Sequence, residues 1–486
     1  MSNRQRGALD NTDLLIAKNL IGGKWIGGNR APIAVDDPFT LDDFAEVPNL
    51  GEDEARQAVA AAAEAFPAWA AKTARERGAI LRRWFELLVA NRDDIARLIT
   101  RENGKTFTEA QGEFDYGAGF MEFYADEATR ALGETIPAPV PGRRLYAERE
   151  PIGVAAAITP WNFPLAMLTR KVGPALAAGC TMIAKPASAT PLTALAFARL
   201  GEEAGVPAGV FNILTGSARE IGGVLTASPI VRKLSFTGST EIGVQLYRES
   251  AATMKKLGLE LGGNAPLLVF DDADLEVAVE AAMVAKFRNG GQSCIAANRI
   301  YVQDGIRDRF VEAFGARVSG MKAGDGFDPA SDIGPLIDDA GKAKVAEHRD
   351  DALERGARLV AGGTEAAGRL FAPTLLADVP ADAQLAHEET FGPLAGVIGF
   401  ATVEEALRLA NATEFGLAAY MCSEDPKTIA RVSRGLESGM VGINTGLIST
   451  PHAPFGGVKM SGLGKEGSHH GLAEYLSIKY LCKAGL

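Results

Sequence analysis

The stretch Gly153-Val154-Ala155-Ala156-Ala157-Ile158-Thr159-Pro160-Trp161-Asn162-Phe163-Pro164 is a short run of small and apolar residues followed by a proline-bracketed turn. It reads as a buried strand that feeds directly into a helix over 163–178. The rhythm repeats outward. Further strands fit 180–185, 210–214, 231–236 and 257–261, with helices over 191–204, 220–227 and 240–252 between them. Such alternation implies a parallel sheet covered on both faces. A second run follows Asn264, with strands over 267–270, 299–302, 358–360, 394–399, 418–422 and 440–444. The fold class is α/β, with two such domains. Upstream, apolar residues recur at helical spacing over 60–70, 79–95 and 107–131. Two strand-like segments, 143–150 and 474–482, fit neither sheet. Exposed edges of this kind are liabilities unless paired, so they are expected to pair with another subunit.

Composition narrows the function. The chain has 486 residues, 47% hydrophobic and 23% charged, with a net charge of −11. That is soluble globular material for two or three domains. The acidic balance speaks against nucleic acid or a membrane surface as partner. It leaves an anionic substrate open, because a few arginines dominate a pocket locally. The four cysteines, Cys180, Cys294, Cys422 and Cys482, form no close pair. This excludes a disulfide framework or zinc site and fits a reducing, cytoplasmic setting. The five histidines lack ligand spacing, so no metal is expected. The N-terminus lacks an apolar signal core, and no apolar run reaches the roughly 18 residues of a membrane span.

The chemistry centres on Phe287-Arg288-Asn289-Gly290-Gly291-Gln292-Ser293-Cys294. An amphipathic helix precedes it, with Leu275, Val279, Ala282 and Met283 on one face and Asp271 or Asp274 as candidate cap. The loop thus presents one thiol from a rigid support, and its glycines allow close approach of a substrate. The plain alternative is an inert buried cysteine. Two distant groups favour a nucleophile. Asn162 offers a side-chain amide to an oxyanion, beside the Cys294 N–H, although it is also a natural helix N-cap. Glu260, in Leu259-Glu260-Leu261-Gly262-Gly263, places a carboxylate in an apolar strand. Burial raises such a group toward working pH, as a base for hydrolysing a thioester requires. The alternative is an ion pair with Lys255 or Lys256.

Cofactor signals are spread along the chain. Lys185 and Ser188 end a strand and are candidates for an adenosine ribose and its phosphate. An acid at position 188 would repel a 2′-phosphate, and Ser188 leaves room for one, so NADP is favoured with NAD possible. Gly238 and Ser239 open a helix whose N-terminus suits a pyrophosphate, or is an ordinary cap. Glu389 is a candidate for ribose hydroxyls and Phe391 for packing near a nicotinamide. Gly462-Leu463-Gly464-Lys465-Glu466-Gly467 matches G-x-G-x-x-G by letter. It lacks a strand–helix context and is set aside as a dinucleotide loop.

Taken together, PWNFP (160–164), KPAS (185–188), FTGSTEIG (236–243), LELGGNAP (259–266), GQSC (291–294), EETFGP (388–393) and PFGGVKMSG (454–462) resemble the aldehyde dehydrogenase superfamily, in its order and over nearly the whole chain. The nearest resemblance is to the succinate- and glutarate-semialdehyde dehydrogenases. It implies two Rossmann-like α/β domains plus a small β oligomerisation domain. The divisions are 1–131 with 151–259 for the cofactor, 260–465 for catalysis, and 132–150 with 466–486 for a homo-dimer or homo-tetramer. It also implies Cys294, Glu260 and Asn162 as catalytic residues. Thr159, Pro160, Trp161 and Leu261 join the cofactor set. Arg170, Arg288 and Ser449 are implied to grip a distal carboxylate, with Phe163 and Phe455 beside the substrate. The implied reaction is NAD(P)-dependent oxidation of succinic semialdehyde. Glutarate semialdehyde, broad-specificity oxidation, a CoA-acylating activity and an inactive structural protein are the alternatives. Two departures from relatives stand out. Ala296 replaces a possible second cysteine, and Thr445 replaces a common glutamate.

Overall fold

The computed structural model describes residues 7–364 and 366–485. Residues 1–6, read above for a signal core, lie outside the described residues. Five parallel strands form the centre of the first sheet: Lys256–Glu260, Val231–Thr237, Val154–Ile158, Thr181–Lys185 and Phe211–Ile213, in that spatial order. Antiparallel strands flank them, Asn19–Ile21 and Lys24–Ile26 at one edge and Gly462–Leu463 at the other. Helices cross between the parallel strands, which is the connection such pairing requires. Small residues make the close helix–sheet contact possible: Ala155, Ala156 and Ala157 are fully buried, and so is nearly all of the helix Ala166–Ala178.

A four-helix layer, Glu52–Ala70, Ala74–Ala90, Arg92–Asn103 and Phe107–Glu127, contributes to covering this sheet. The helix expected over 79–95 is two helices. Asn91 breaks it with φ −113° and ψ 23°, its side chain donating to the Leu87 carbonyl at 2.8 Å. Apolar periodicity continues across the break, so it does not reveal it. Trp84 anchors the layer. It is fully buried, stacked on Phe197 at 4.2 Å, and donates to the Phe197 carbonyl at 3.0 Å.

The second sheet has the order Arg358–Ala361, Thr374–Ala377, Leu394–Phe400, Ala297–Gln303, Ala265–Val269, Ala418–Cys422, Met440–Ile443. All pairs are parallel except the first. The strand Thr374–Ala377 was not expected from the sequence. A four-residue apolar run after a proline has no readable period.

One expectation needs correction. The segments at 143–150 and 474–482 do not await another subunit for their first pairing. Arg143–Pro151 and Leu476–Ala484 pair with each other, antiparallel, from Pro151↔Leu476 to Arg143↔Ala484. Glu134–Ile136 completes this third sheet on the other side of Arg143–Pro151. Pairing between segments more than 300 residues apart leaves no local sequence trace. Leu476–Ala484 remains an edge and exposes Ile478 and Tyr480. Among the described residues, no helix is long and apolar enough to cross a membrane.

Replacing Trp84 by Ala removes a buried aromatic and its hydrogen bond. It should destabilise the first α/β unit by about 3–5 kcal/mol, read as a lowered urea midpoint for the first unfolding transition.

Candidate active site

The thiol loop is built from backbone geometry that few residues tolerate. Its helix, Leu275–Phe287, is capped by Asp274, which accepts from the Val277 N–H at 3.0 Å. Asp271 instead accepts from the Ile306 N–H. Beyond the helix, Asn289, Gly290 and Gly291 have φ of +54°, +58° and +74°. Left-handed backbone suits Gly and, less well, Asn. A Cβ at Gly291 would lie 2.2 Å from the Gly392 carbonyl oxygen, so that position has no room either. The turn is held by its neighbours. The Asn289 N–H donates to Glu109 at 2.6 Å, and the Asn289 amide donates to the Asn162 and Gln292 carbonyls, each at 3.0 Å. The Gln292 side-chain carbonyl accepts from the Ile337 N–H at 3.0 Å. Cys294 emerges half-buried, whereas Cys180 and Cys422 are fully buried.

Asn162 is not a helix cap. The following helix begins at Ala166, and its first N–H groups are taken by Glu113. That carboxylate accepts from Leu165 at 2.9 Å and Ala166 at 3.3 Å. Glu113 is itself paired with Lys105 at 2.5 Å, and Lys105 donates to the Asn162 carbonyl at 2.8 Å. Capping from a neighbouring helix frees the Asn162 side chain. Its amide nitrogen donates to the Gln292 carbonyl at 3.1 Å. An amide nitrogen carries two N–H groups, so one remains uncommitted.

Glu260 is 2% exposed, and neither suspected lysine reaches it. Lys255 donates to the Ser228 carbonyl at 2.9 Å, and Lys256 lies 3.4 Å from Glu474. One Glu260 carboxyl oxygen has no hydrogen-bond partner among the described residues. The adjoining Gly262-Gly263 turn lets the two loops meet, since a Cβ at Gly263 would lie 2.6 Å from the Cys294 carbonyl oxygen.

The segment set aside as a dinucleotide loop has a different place. Gly462–Leu463 pairs with Leu259 and Glu260, which carries Lys465 and Glu466 into the site. Glu466 pairs with Arg170 and Lys171 and accepts from Ser235 at 3.0 Å. Lys171 also donates to Thr237 at 2.7 Å. Burial opposes the charge on Glu466, but Arg170 and Lys171 outweigh it and hold its pKa down. Burial and the Glu466 charge push Glu260 well above the ordinary carboxylate range, against Arg170, Lys171 and Lys465. Burial pushes the Cys294 thiol up to about 12; Arg170 opposes this, while Glu389 and Glu260 add to it. Sequence reasoning missed Glu466 and Lys171. Their local signals were slight: Lys171 follows Arg170 in a mostly apolar helix, and Glu466 stands in the glycine segment set aside as a dinucleotide loop.

A cavity of about 220 Å³ opens among part of this set; Arg170, Lys171 and Glu466 do not line it. Asn162, Glu260 and Cys294 all line it. So do the expected cofactor residues Pro160, Trp161, Gly238, Ser239, Leu261, Glu389 and Phe391. Met167, Thr237 and Gly262 line it unforeseen. Trp161 meets Phe391 edge-on at 5.5 Å, and Phe391 has φ +57°. Glu389 accepts from the Gly263 N–H at 3.4 Å, and burial raises its pKa to about 7. Ser239 caps the helix Thr240–Ser250 through the Ile242 N–H at 3.4 Å, so the ordinary cap is present at the cavity wall. Thr159, Lys185 and Ser188 lie outside this lining. Thr159 continues the sheet through the Lys185 carbonyl at 3.1 Å. Lys185 is buried, which lowers its pKa to about 8, and donates to the Pro186 carbonyl at 2.9 Å; Ser188 is half-exposed.

The substrate set divides. Arg170 is fully buried, committed to Glu466, and lies 4.5 Å from the Phe455 ring. Arg288 sits over Phe163 at 5.1 Å, and no carboxylate pairs with it among the described residues. Ser449 lies half-buried on the loop after Met440–Ile443, with no hydrogen bond to either arginine. Thr445 is exposed and accepts from the Leu447 N–H at 3.2 Å, within its own loop.

The chain matches the aldehyde dehydrogenase family over residues 25–481 and belongs to it. It is 55% identical to the NADP(+) succinate-semialdehyde dehydrogenase GabD of Escherichia coli, over 98% of this chain and 99% of that one. It is 54% identical to a glutarate-semialdehyde dehydrogenase of Pseudomonas putida, over 98% and 99%. The crystal structure of a succinate-semialdehyde dehydrogenase from Burkholderia pseudomallei superposes with a TM-score of 0.97 at 52% identity, covering 98% of this chain and 100% of that one. The α/β aldehyde dehydrogenase fold expected from the motifs is therefore the fold observed.

With its pKa raised to about 12, Cys294 is mostly thiol at neutral pH. Its alkylation by iodoacetamide, in protein without cofactor, should rise about tenfold per pH unit from pH 7 to 9.5. A plateau below pH 9 would show a thiolate already stabilised.

Proposed function

We propose that the protein is an NADP-preferring succinate-semialdehyde dehydrogenase, with Cys294 as nucleophile, Asn162 as oxyanion donor and Glu260 as base. The observation that carries this is the convergence of those three groups on one cavity, with Glu260 unpaired and raised in pKa.

NADP fits the residues present. Pro160, Trp161 and Phe391 offer apolar contact, Ser239 opens a helix of 11 residues, and Glu389 presents a carboxyl group at the cavity wall to accept from a hydroxyl. Lys185 and Ser188 would take the adenosine end, with a serine at 188 where an acid would oppose a 2′-phosphate. When bound, NADP supplies the hydride acceptor. The chain's own groups do the rest. The Cys294 thiolate adds to the aldehyde carbon and forms a thiohemiacetal. The uncommitted Asn162 N–H and the Cys294 N–H stabilise its oxygen. Once the carbon has reached the thioester oxidation level, Glu260 takes a proton from water, which attacks the thioester and releases the acid. A base poised above the carboxylate range suits this better than thiolysis by CoA.

Arg288 supports a substrate with a distal anion, and the identity to semialdehyde enzymes supports a short chain. Glutarate semialdehyde is the second reading, favoured by the Pseudomonas relative. The three larger sheets support a cofactor unit, a catalytic unit and an oligomerisation unit near the divisions given above. The exposed edge Leu476–Ala484 supports a homo-oligomer, and four unpaired thiols support a reducing cytoplasm.

Cys294→Ala should lower turnover by about 10⁴-fold or more. Glu260→Gln should give a burst of NADPH followed by slow turnover, as deacylation becomes limiting. A matrix of kcat/KM for C4 and C5 semialdehydes and butanal, each with NAD and NADP, should peak at succinic semialdehyde with NADP. Comparable values for butanal would sink the anionic-substrate assignment. Light scattering should return a mass above one chain.

A further inference from the structure

One buried polar cluster beside this site holds more donors than its acceptors take up: Glu466 engages Arg170, yet one nitrogen of that guanidinium and the nearby Tyr116 hydroxyl are left over among the described residues. Tyr116, on the helix Phe107–Glu127, packs against the small cluster of Phe163, Ala166 and Met167. Its ring stands edge-on to Phe120 at 5.0 Å, and the Arg288 guanidinium lies 5.9 Å from its centroid. The Tyr116 hydroxyl is buried and has no hydrogen-bond partner among the described residues. One terminal nitrogen of Arg170, Nη1, is buried and unpartnered as well. Arg170 and Arg288 both act electrostatically on the Tyr116 hydroxyl, Arg170 also as a neighbouring donor. Burial nevertheless raises the phenol's pKa, so it stays protonated and can donate at working pH.

A buried hydroxyl without a partner is costly, and buried polar groups are as a rule satisfied. Here the neighbours include two cations; Glu466 acts on the hydroxyl and Glu109 on Arg288 through space, but among the described residues no carboxylate forms an ion pair with Arg288. A carboxylate, with two oxygens and a charge opposite to both arginines, can accept from all three donors together. We infer that Tyr116 is a specificity-determining residue: its hydroxyl donates to the distal carboxylate of the substrate beside Arg170 and Arg288, while its ring seats Arg288. This rests on the semialdehyde reading above. A neutral donor adds direction without adding charge. An uncharged aldehyde leaves the hydroxyl unpartnered, and a site built for a hydrogen bond discriminates strongly against a ligand lacking it.

Tyr116→Phe keeps the ring, and with it the seat for Arg288, and removes only the hydroxyl. The ratio of kcat/KM for succinic semialdehyde over butanal, measured with NADP, should fall about tenfold or more, carried mainly by a higher KM. Succinate should raise the melting temperature of the wild-type protein and raise it less in the variant, a readout independent of turnover. An unchanged ratio in a folded variant, or an equal loss of kcat on both aldehydes, overturns the assignment of Tyr116 alone. If the wild-type enzyme fails to prefer the semialdehyde, the anionic-substrate reading fails and the role of Tyr116 falls with it.

Discussion

Everything at the site depends on one interlock between two loops, each carried by a different sheet. Asn162 donates through its side chain to the Gln292 carbonyl, and its own carbonyl accepts from Asn289 and Lys105. These bonds set the amide beside the thiol loop. They exist because Glu113, on another helix, caps the helix that Asn162 would otherwise cap. Lys105 and Glu113 are both about fully buried, and each needs the other's charge. A buried ion pair of this kind adds little net stability, but it fixes position, and position is what an oxyanion donor needs.

Burial governs the electrostatics as well. In the resting protein it disfavours both the Cys294 thiolate and the Glu260 carboxylate. The Arg170–Glu466–Lys171 cluster then divides the available charge unequally. Glu466 takes the cations and is held ionised; Glu260, nearby and without a direct partner, is raised. Two carboxylates in one pocket thus acquire different proton affinities from their partners alone. The same cluster explains why Arg170 cannot be an open clamp. Its guanidinium is already engaged by Glu466, and only Nη1 remains for a ligand. Arg288, seated on aromatic faces and in no ion pair among the described residues, is the more available cation.

Much of this was legible in the sequence. The strand–helix rhythm from Gly153 predicted both parallel sheets, because buried apolar runs and amphipathic helices are local patterns. Cys294, Asn162, Glu260, Glu389 and Phe391 stood out because each breaks its local pattern: a thiol among glycines, polar groups among prolines, leucines or turns. The break at Asn91 and the strand Thr374–Ala377 stayed hidden, since one is silent in periodicity and the other is shorter than a period can be read. Lys185 and Ser188 were placed at a strand end correctly, but their distance from the cavity was not readable.

The amino-acid sequence by itself determined the α/β class, the order of the elements, and the identity of the thiol, amide and carboxylate in the cavity. These follow from short-range chemistry and from motifs contiguous in the chain. Only the tertiary structure decided the rest. It turned Gly462–Gly467 from a glycine motif into the carrier of Glu466, and it paired Arg143–Pro151 with Leu476–Ala484. It released Asn162 from capping, and it brought the hydroxyl of Tyr116 to two arginines 54 and 172 residues further along the chain. The physical reason is common to all four. Burial, hydrogen-bond satisfaction and charge partnering are properties of neighbours in space, and a linear pattern contains no record of which distant residue removes the water.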